Sequence, residues 1–154
     1  MATIESRLVE RGIVLPDAPA PQANYVPYVV AGNLIHVSGQ IPIDGDGTLI
    51  KGRVGADLSL DEGQRAARLC TLNIVAQVRR ACDGNLDRVR RVVRIGGFIN
   101  AAPDFDQHAI LLNAASDLLV EIFGDAGRHA RFAVGAGSLP FNVAIEIDAV
   151  FELR

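Results

Sequence analysis

The sequence predicts an α+β domain, a single mixed β-sheet with two amphipathic helices on one face and the other face left open. Three observations predict it. From Asn142 onward apolar Val143, Ile145, Ile147, Ala149, Phe151 and Leu153 alternate with Ala144, Glu146, Asp148, Val150 and Glu152, a period of two that belongs to a strand. Two stretches with helical apolar spacing, beginning near Ser59 and near Asp104, are separated by a strand-like run at 89–100. Near the start, Tyr25–Val30 and Leu34–Gln40 flank Ala31-Gly32-Asn33, a hairpin signal.

In chain order, Thr3–Gly12 predicts a short amphipathic helix, and the proline-rich run from Val14 to Ala23 predicts an extended arm too short to separate two domains. The division is therefore an N-terminal helix and arm over 1–22 and one domain over 23–154. Asp44-Gly-Asp-Gly47 predicts a turn, since the third ligand and closing glutamate of a calcium loop are missing. Ser59-Leu-Asp-Glu62 is a capping box, which starts a helix by pairing serine and glutamate side chains with backbone N–H groups. Leu60, Ala67, Cys70, Ile74, Val78 and Ala81 form its buried stripe, and Gly84 ends it. The strand at 89–100 loses its alternation at Arg90-Arg91. Asp104 and Gln107 signal a second helix start, with Phe105, Ala109, Leu112, Leu119 and Phe123 inward and Gly124 as the stop. Arg131–Gly137 and Asn142–Leu153 close the order ββ(β)αβαββ, and a tight Ser138-Leu139-Pro140 connection predicts that they pair as a hairpin.

Composition limits the function classes. At 154 residues the chain can bury its own core, yet 49% hydrophobic residues against 21% charged is an apolar balance. No apolar run reaches the ~20 residues that a membrane helix needs, so the excess predicts an oligomer packed sheet against sheet. The N-terminus has no apolar signal core, which places the protein in the cytoplasm. A net charge of −3 exerts no global pull on nucleic acid or membrane. Cys70 and Cys82 lie twelve residues apart on one helix, about 18 Å and beyond disulfide reach, so both are expected as buried free thiols. The absence of a Cys/His cluster gives no support for zinc.

The hairpin expectation places Arg131 almost opposite Glu146, on a face of small residues that includes Ala133, Gly135, Gly137, Ala144 and Val150. An arginine and a glutamate at that spacing serve either as a structural ion pair or as a site that holds an anion beside a base. His36 is expected to pack on a strand, His108 to lie on a helix surface, and His129 to flank the site.

Gly32-Asn33-Leu34-Ile35, Ser38-Gly39-Gln40-Ile41-Pro42, Asp104-Phe105, Ala130-Arg131, Leu139-Pro140 and Ile145-Glu146-Ile147 together resemble the RidA (YjgF) family of reactive-intermediate deaminases, over residues 23 to 153. The resemblance implies a chorismate-mutase-like fold, a homotrimer with ligand clefts between subunits, and hydrolysis of 2-imino or 2-enamino acids to 2-keto acids and ammonia. It assigns Arg131 to the substrate carboxylate and Glu146 to the positioning of water, with Tyr25, Ser38, Asn113 and Ala133 at substrate-binding positions. A guanidinium suits a carboxylate because it presents a planar fork and stays charged. An iminium carbon is already electrophilic, so no cofactor or metal is called for. The sequence departs from the family at Phe132-Ala133, Gly137-Ser138 and Asn24-Tyr25, as expected of a divergent branch.

Two other classes stand beside the deaminase. Arg79, Arg80, Arg88, Arg90, Arg91 and Arg94 would serve an endoribonuclease or RNA-binding protein, whose affinity would fall with salt. A non-catalytic keto-acid sensor would need mainly Arg131.

Overall fold

The protein is described by a computed structural model covering residues 2–21 and 23–154. Its elements are α1 (Ile4–Glu10), β1 (Tyr28–Ala31), β2 (Leu34–Gln40), α2 (Leu60–Ala81), β3 (Val89–Asn100), α3 (His108–Phe123), β4 (Ala130–Ala136) and β5 (Ile145–Leu153). The five strands form one sheet in the order β1-β2-β5-β3-β4. All pairs are antiparallel except β3 and β4, which α3 connects as a crossover, the link that parallel neighbours require.

Local chemistry accounts for most of these boundaries. Ser59 Oγ accepts from the Glu62 N–H at 3.2 Å and Glu62 Oε2 accepts from the Ser59 N–H at 2.7 Å, so the capping box starts α2 as its sequence predicts. On β5, Ile145, Ile147, Ala149, Phe151 and Leu153 are buried while Glu146, Asp148, Val150 and Glu152 are half-exposed. The buried row lies under α2 and α3, and with Ile35, Val92, Ile95, Ile99, Leu112 and Leu119 it makes the core. The slip at Arg90-Arg91 is a shift in pairing register between β3 and β5. Asp44 Oδ1 accepts from the N–H groups of Asp46 and Thr48 and closes the predicted turn. Cys70 and Cys82 are free and buried.

Four expectations need correction. β4 and β5 do not form a hairpin, because β3 lies between them. The crossover after β3 delivers β4 to the sheet edge, while β5, with one wholly apolar face, takes the centre between β2 and β3. Ala133 and Gly135 consequently face the helices: Ala133 packs on the core and a Cβ at Gly135 would meet His108 of α3. The bracketed strand after β2 is reduced to isolated bridges such as Ile43 to Leu49 and Lys51 to Val143. Finally, α3 begins at His108 with no side-chain cap bond, so Asp104 does not cap it, and Ala109 is exposed.

Two more facts bear on function. The arm is tied down where Gln77, buried in α2, donates from Nε2 to the Pro19 carbonyl at 2.7 Å. The open sheet face carries Phe98 at 43% exposure, Phe132 at 37% and Val134 at 43%, and Arg94 pairs with Asp148 at 3.0 Å beside them.

Candidate functional site

Glu146 opens β5 on the open face, where its register partner is Phe98. Opposite it, the pairing of β2 with β5 shifts between Val37 and Gln40, a bulge that carries Ser38 and Gly39. Bulges re-aim a strand locally, and this one lays the Gly39 backbone under the Glu146 carboxylate. A Cβ at Gly39 would collide with Glu146 Oε1. The carboxylate looks into a cavity of about 170 Å³ whose lining includes Pro19, Pro21, Tyr25, Ile41 and Phe141. Burial, then the nearby Asp148 charge, raises the Glu146 pKa from its ordinary value. No lysine, arginine or histidine is among the described residues that line the cavity, so nothing there offsets the cost of ionisation.

Arg131 occupies the other face. It pairs in register with buried Ile95 on β3, and its side chain runs along α3. Nη1 donates to Ser116 Oγ at 2.9 Å, and Nη2 donates to Asn113 Oδ1 at 3.0 Å and to the Ala109 carbonyl at 3.1 Å. Ser116 Oγ lies 2.9 Å from His129 Nε2, and His129 Nδ1 lies 2.6 Å from the Gly127 carbonyl. A carbonyl can only accept, which assigns the proton to Nδ1 and makes Nε2 the acceptor from the Ser116 hydroxyl. Burial lowers the His129 pKa, with the Arg131 charge adding to the effect against the Gly127 bond. That lowering favours the neutral imidazole, and a chain of donors runs from Arg131 through Ser116 and His129 to the backbone. A two-pronged grip on a carboxylate through both terminal nitrogens needs Nη2 to exchange one of its α3 partners for the ligand.

The structure thus brings together Tyr25 and Glu146 on one face, and Arg131, Asn113 and Ala133 on the other. The expected Arg131–Glu146 pairing within one chain is overturned, since the two side chains leave opposite faces of the sheet with β3 between their strands. Ser38 is held away from the cavity, its hydroxyl donating to the Val26 carbonyl at 2.7 Å. His129 does flank Arg131. Ser116 went unrecognised although it sits three residues after Asn113 on the same helical face, and Phe141 and the proline arm went unrecognised as cavity walls.

The arginine cluster is largely neutralised. Arg79 pairs with Glu5 at 3.2 Å, Arg88 with Asp83 at 3.1 Å, Arg90 with Glu152 at 3.7 Å and Arg94 with Asp148 at 3.0 Å. Among the described residues no group of three His, Cys, Asp or Glu side chains is placed to hold a metal, and no helix is long and apolar enough to cross a membrane.

Comparison with known proteins gives this geometry its context. The model of the YjgF/chorismate mutase-like family, which bears an endoribonuclease label, matches residues 5–153. The chain belongs to the YjgF family. Protein TCP17 of Trypanosoma cruzi is 48% identical to it over 152 residues, 98% of this chain and 94% of that protein. A crystal structure from Shewanella oneidensis MR-1, described as a candidate endoribonuclease, superposes with TM-score 0.94 at 41% identity, covering 99% of this chain and 100% of that one. The YjgF gene product of E. coli superposes with TM-score 0.64 at 29% identity, over 90% and 94% of the two chains. The drop in fold match from the Shewanella protein to the E. coli protein sets this chain in a divergent branch of the YjgF family. The match reaches back to residue 5 and so includes most of α1 and the arm.

Proposed function

We propose that this protein hydrolyses 2-imino or 2-enamino acids to 2-keto acids and ammonia, in a cleft completed by two copies of a homotrimer. The observation that carries the proposal is Glu146, a half-buried carboxylate with a raised pKa at a cavity that has no cation among its described lining residues. A base whose pKa is lifted toward the working pH accepts a proton from water more effectively. Water adds to the C=N carbon while Glu146 takes its proton. The proton then returns to nitrogen, the C–N bond of the carbinolamine breaks, and ammonia leaves as the carbonyl forms. Oxygen comes from water and nitrogen departs as ammonia, so neither an oxidant nor a metal enters the balance.

Arg131 supplies the carboxylate site, and because it faces away from Glu146 it must come from a neighbouring copy to act on the same ligand. The exposed Phe98, Phe132 and Val134 on the open face support such an assembly, since an apolar patch of aromatic residues favours burial against a partner. The test is ammonia release from enzymatically generated 2-imino acids, measured above the spontaneous rate. Wild type is expected to accelerate release, and Arg131→Ala and Glu146→Gln are each expected to lower kcat/KM by about 100-fold. Wild-type rates no faster than the spontaneous reaction for every imine tried would refute the proposal.

A further inference from the structure

Phe141 has φ 57° and ψ 16°, and Asn142 follows with φ 57°. Two successive non-glycine residues in the left-handed region are uncommon, and for a bulky side chain such a backbone persists only when its surroundings over-determine it. Here they do. Asn100, buried at the end of β3, donates from Nδ2 to Asn142 Oδ1 at 3.1 Å and to the carbonyls of Gly52 and Val143 at 3.2 Å each. The Gly52 N–H in turn donates to the Asn142 carbonyl at 2.9 Å, and the Asn142 N–H to the Leu139 carbonyl at 3.0 Å. Nothing in this clasp needs an aromatic ring at 141, yet the ring is held outward, 57% exposed, on the rim of the Glu146 cavity.

The facing wall is also fixed. Gln77 has no exposed surface, and its amide holds the Pro19 carbonyl, which sets Pro19 and Pro21 against the same cavity. Tyr25, Ile41 and Ile43 complete a mainly apolar lining around one carboxylate, and the one uncharged amide in it, Gln40, donates from Nε2 to the Ser38 carbonyl at 3.0 Å. A second anion entering there would meet Glu146 with no cation among the described lining residues to compensate, whereas an apolar group would be desolvated against rigid walls. We infer that this cavity is a side-chain subsite for uncharged, apolar 2-imino acids, and that Phe141 is its specificity-determining residue.

The inference rests on the deaminase reading, and calorimetry with two keto-acid probes on the full chain separates the two. For wild type, 4-methyl-2-oxopentanoate is expected to bind at least about tenfold more tightly than 2-oxoglutarate, the discrimination that a few methylenes earn in an apolar pocket. Phe141→Gly removes the ring while suiting the left-handed backbone. It is expected to bring the ratio of the two affinities close to one, with 2-oxoglutarate binding unchanged and the melting temperature unchanged or raised. Equal or tighter binding of 2-oxoglutarate to wild type, or a ratio that Phe141→Gly leaves intact, would overturn the inference while ammonia release from the matching imines kept the deaminase reading alive. Failure to bind either acid, with no ammonia release from any imine, would overturn both.

Discussion

Glu146 shows how one residue's environment bears both on stability and on the chemistry proposed for it. Its pKa is raised in the folded protein, by burial first and by Asp148 second, so the folded state binds this proton more tightly than the unfolded chain does. The stabilising contribution is fully present below the ordinary carboxylate pKa and is lost as pH rises through the raised value. Glu146→Gln removes the titration. The variant should therefore gain stability relative to wild type as pH increases across that window, and should melt at or above the wild-type temperature at neutral pH while deamination falls by about 100-fold. Thermal melts at a series of pH values check this. A variant that becomes relatively less stable with rising pH would mean that the carboxylate has a cationic partner. Motif and chemistry singled out Tyr25, Glu146, Arg131 and Asn113, and the fold sets the first pair on one cavity and the second pair in contact, whereas Ser116 gave no signal. A polar residue on a half-buried helix carries no local sign of its partner, and only the fold brings Arg131 and His129 to it.

At the scale of elements, the bulge between β2 and β5 positions the carboxylate. Gly39→Ala puts a methyl group where Glu146 Oε1 now lies. The obstacle is the end of a side chain that can swing away, so the expected cost in stability is small, under about 1 kcal/mol. Displacing the base by even an ångström should lower kcat/KM by about tenfold or more. Unchanged kinetics in Gly39→Ala, with a folded protein by circular dichroism, would show that the present carboxylate position is not the working one. Elements with strong local signals were legible: the capping box of α2, the alternation of β5, the turn at Asp44 and the slip in β3 all stand where the residues put them. Strand partners were not. Alternation defines two faces for each strand but not which face of β4 matches which face of β5, nor that β3 intervenes. The short link at Ser138-Leu139-Pro140 favoured a hairpin, yet the clasp of Asn142 by Asn100 and Gly52 turns the chain toward the sheet centre. That single difference moved Arg131 to the far face from Glu146.

For the whole molecule, the separation of Arg131 from Glu146 becomes the central structural fact. The sequence pattern pointed to an oligomer through its apolar excess, and the open face with Phe98, Phe132 and Val134 locates where that excess is exposed. One copy holds Glu146 at a cavity and, across the sheet, Arg131 braced on α3; in the proposed reaction a ligand that needs both lies between copies. Mixing the two disabled forms tests this most directly. Arg131→Ala and Glu146→Gln are each expected to lose about 100-fold in kcat/KM alone, but when co-assembled in equal amounts about a quarter of the clefts would pair an intact Arg131 from one copy with an intact Glu146 from its neighbour. Ammonia release from 2-imino acids should then recover to about a quarter of the wild-type rate. Hybrid assemblies that form, as shown by differential tagging, yet stay as inactive as either variant alone would contradict a site shared between copies.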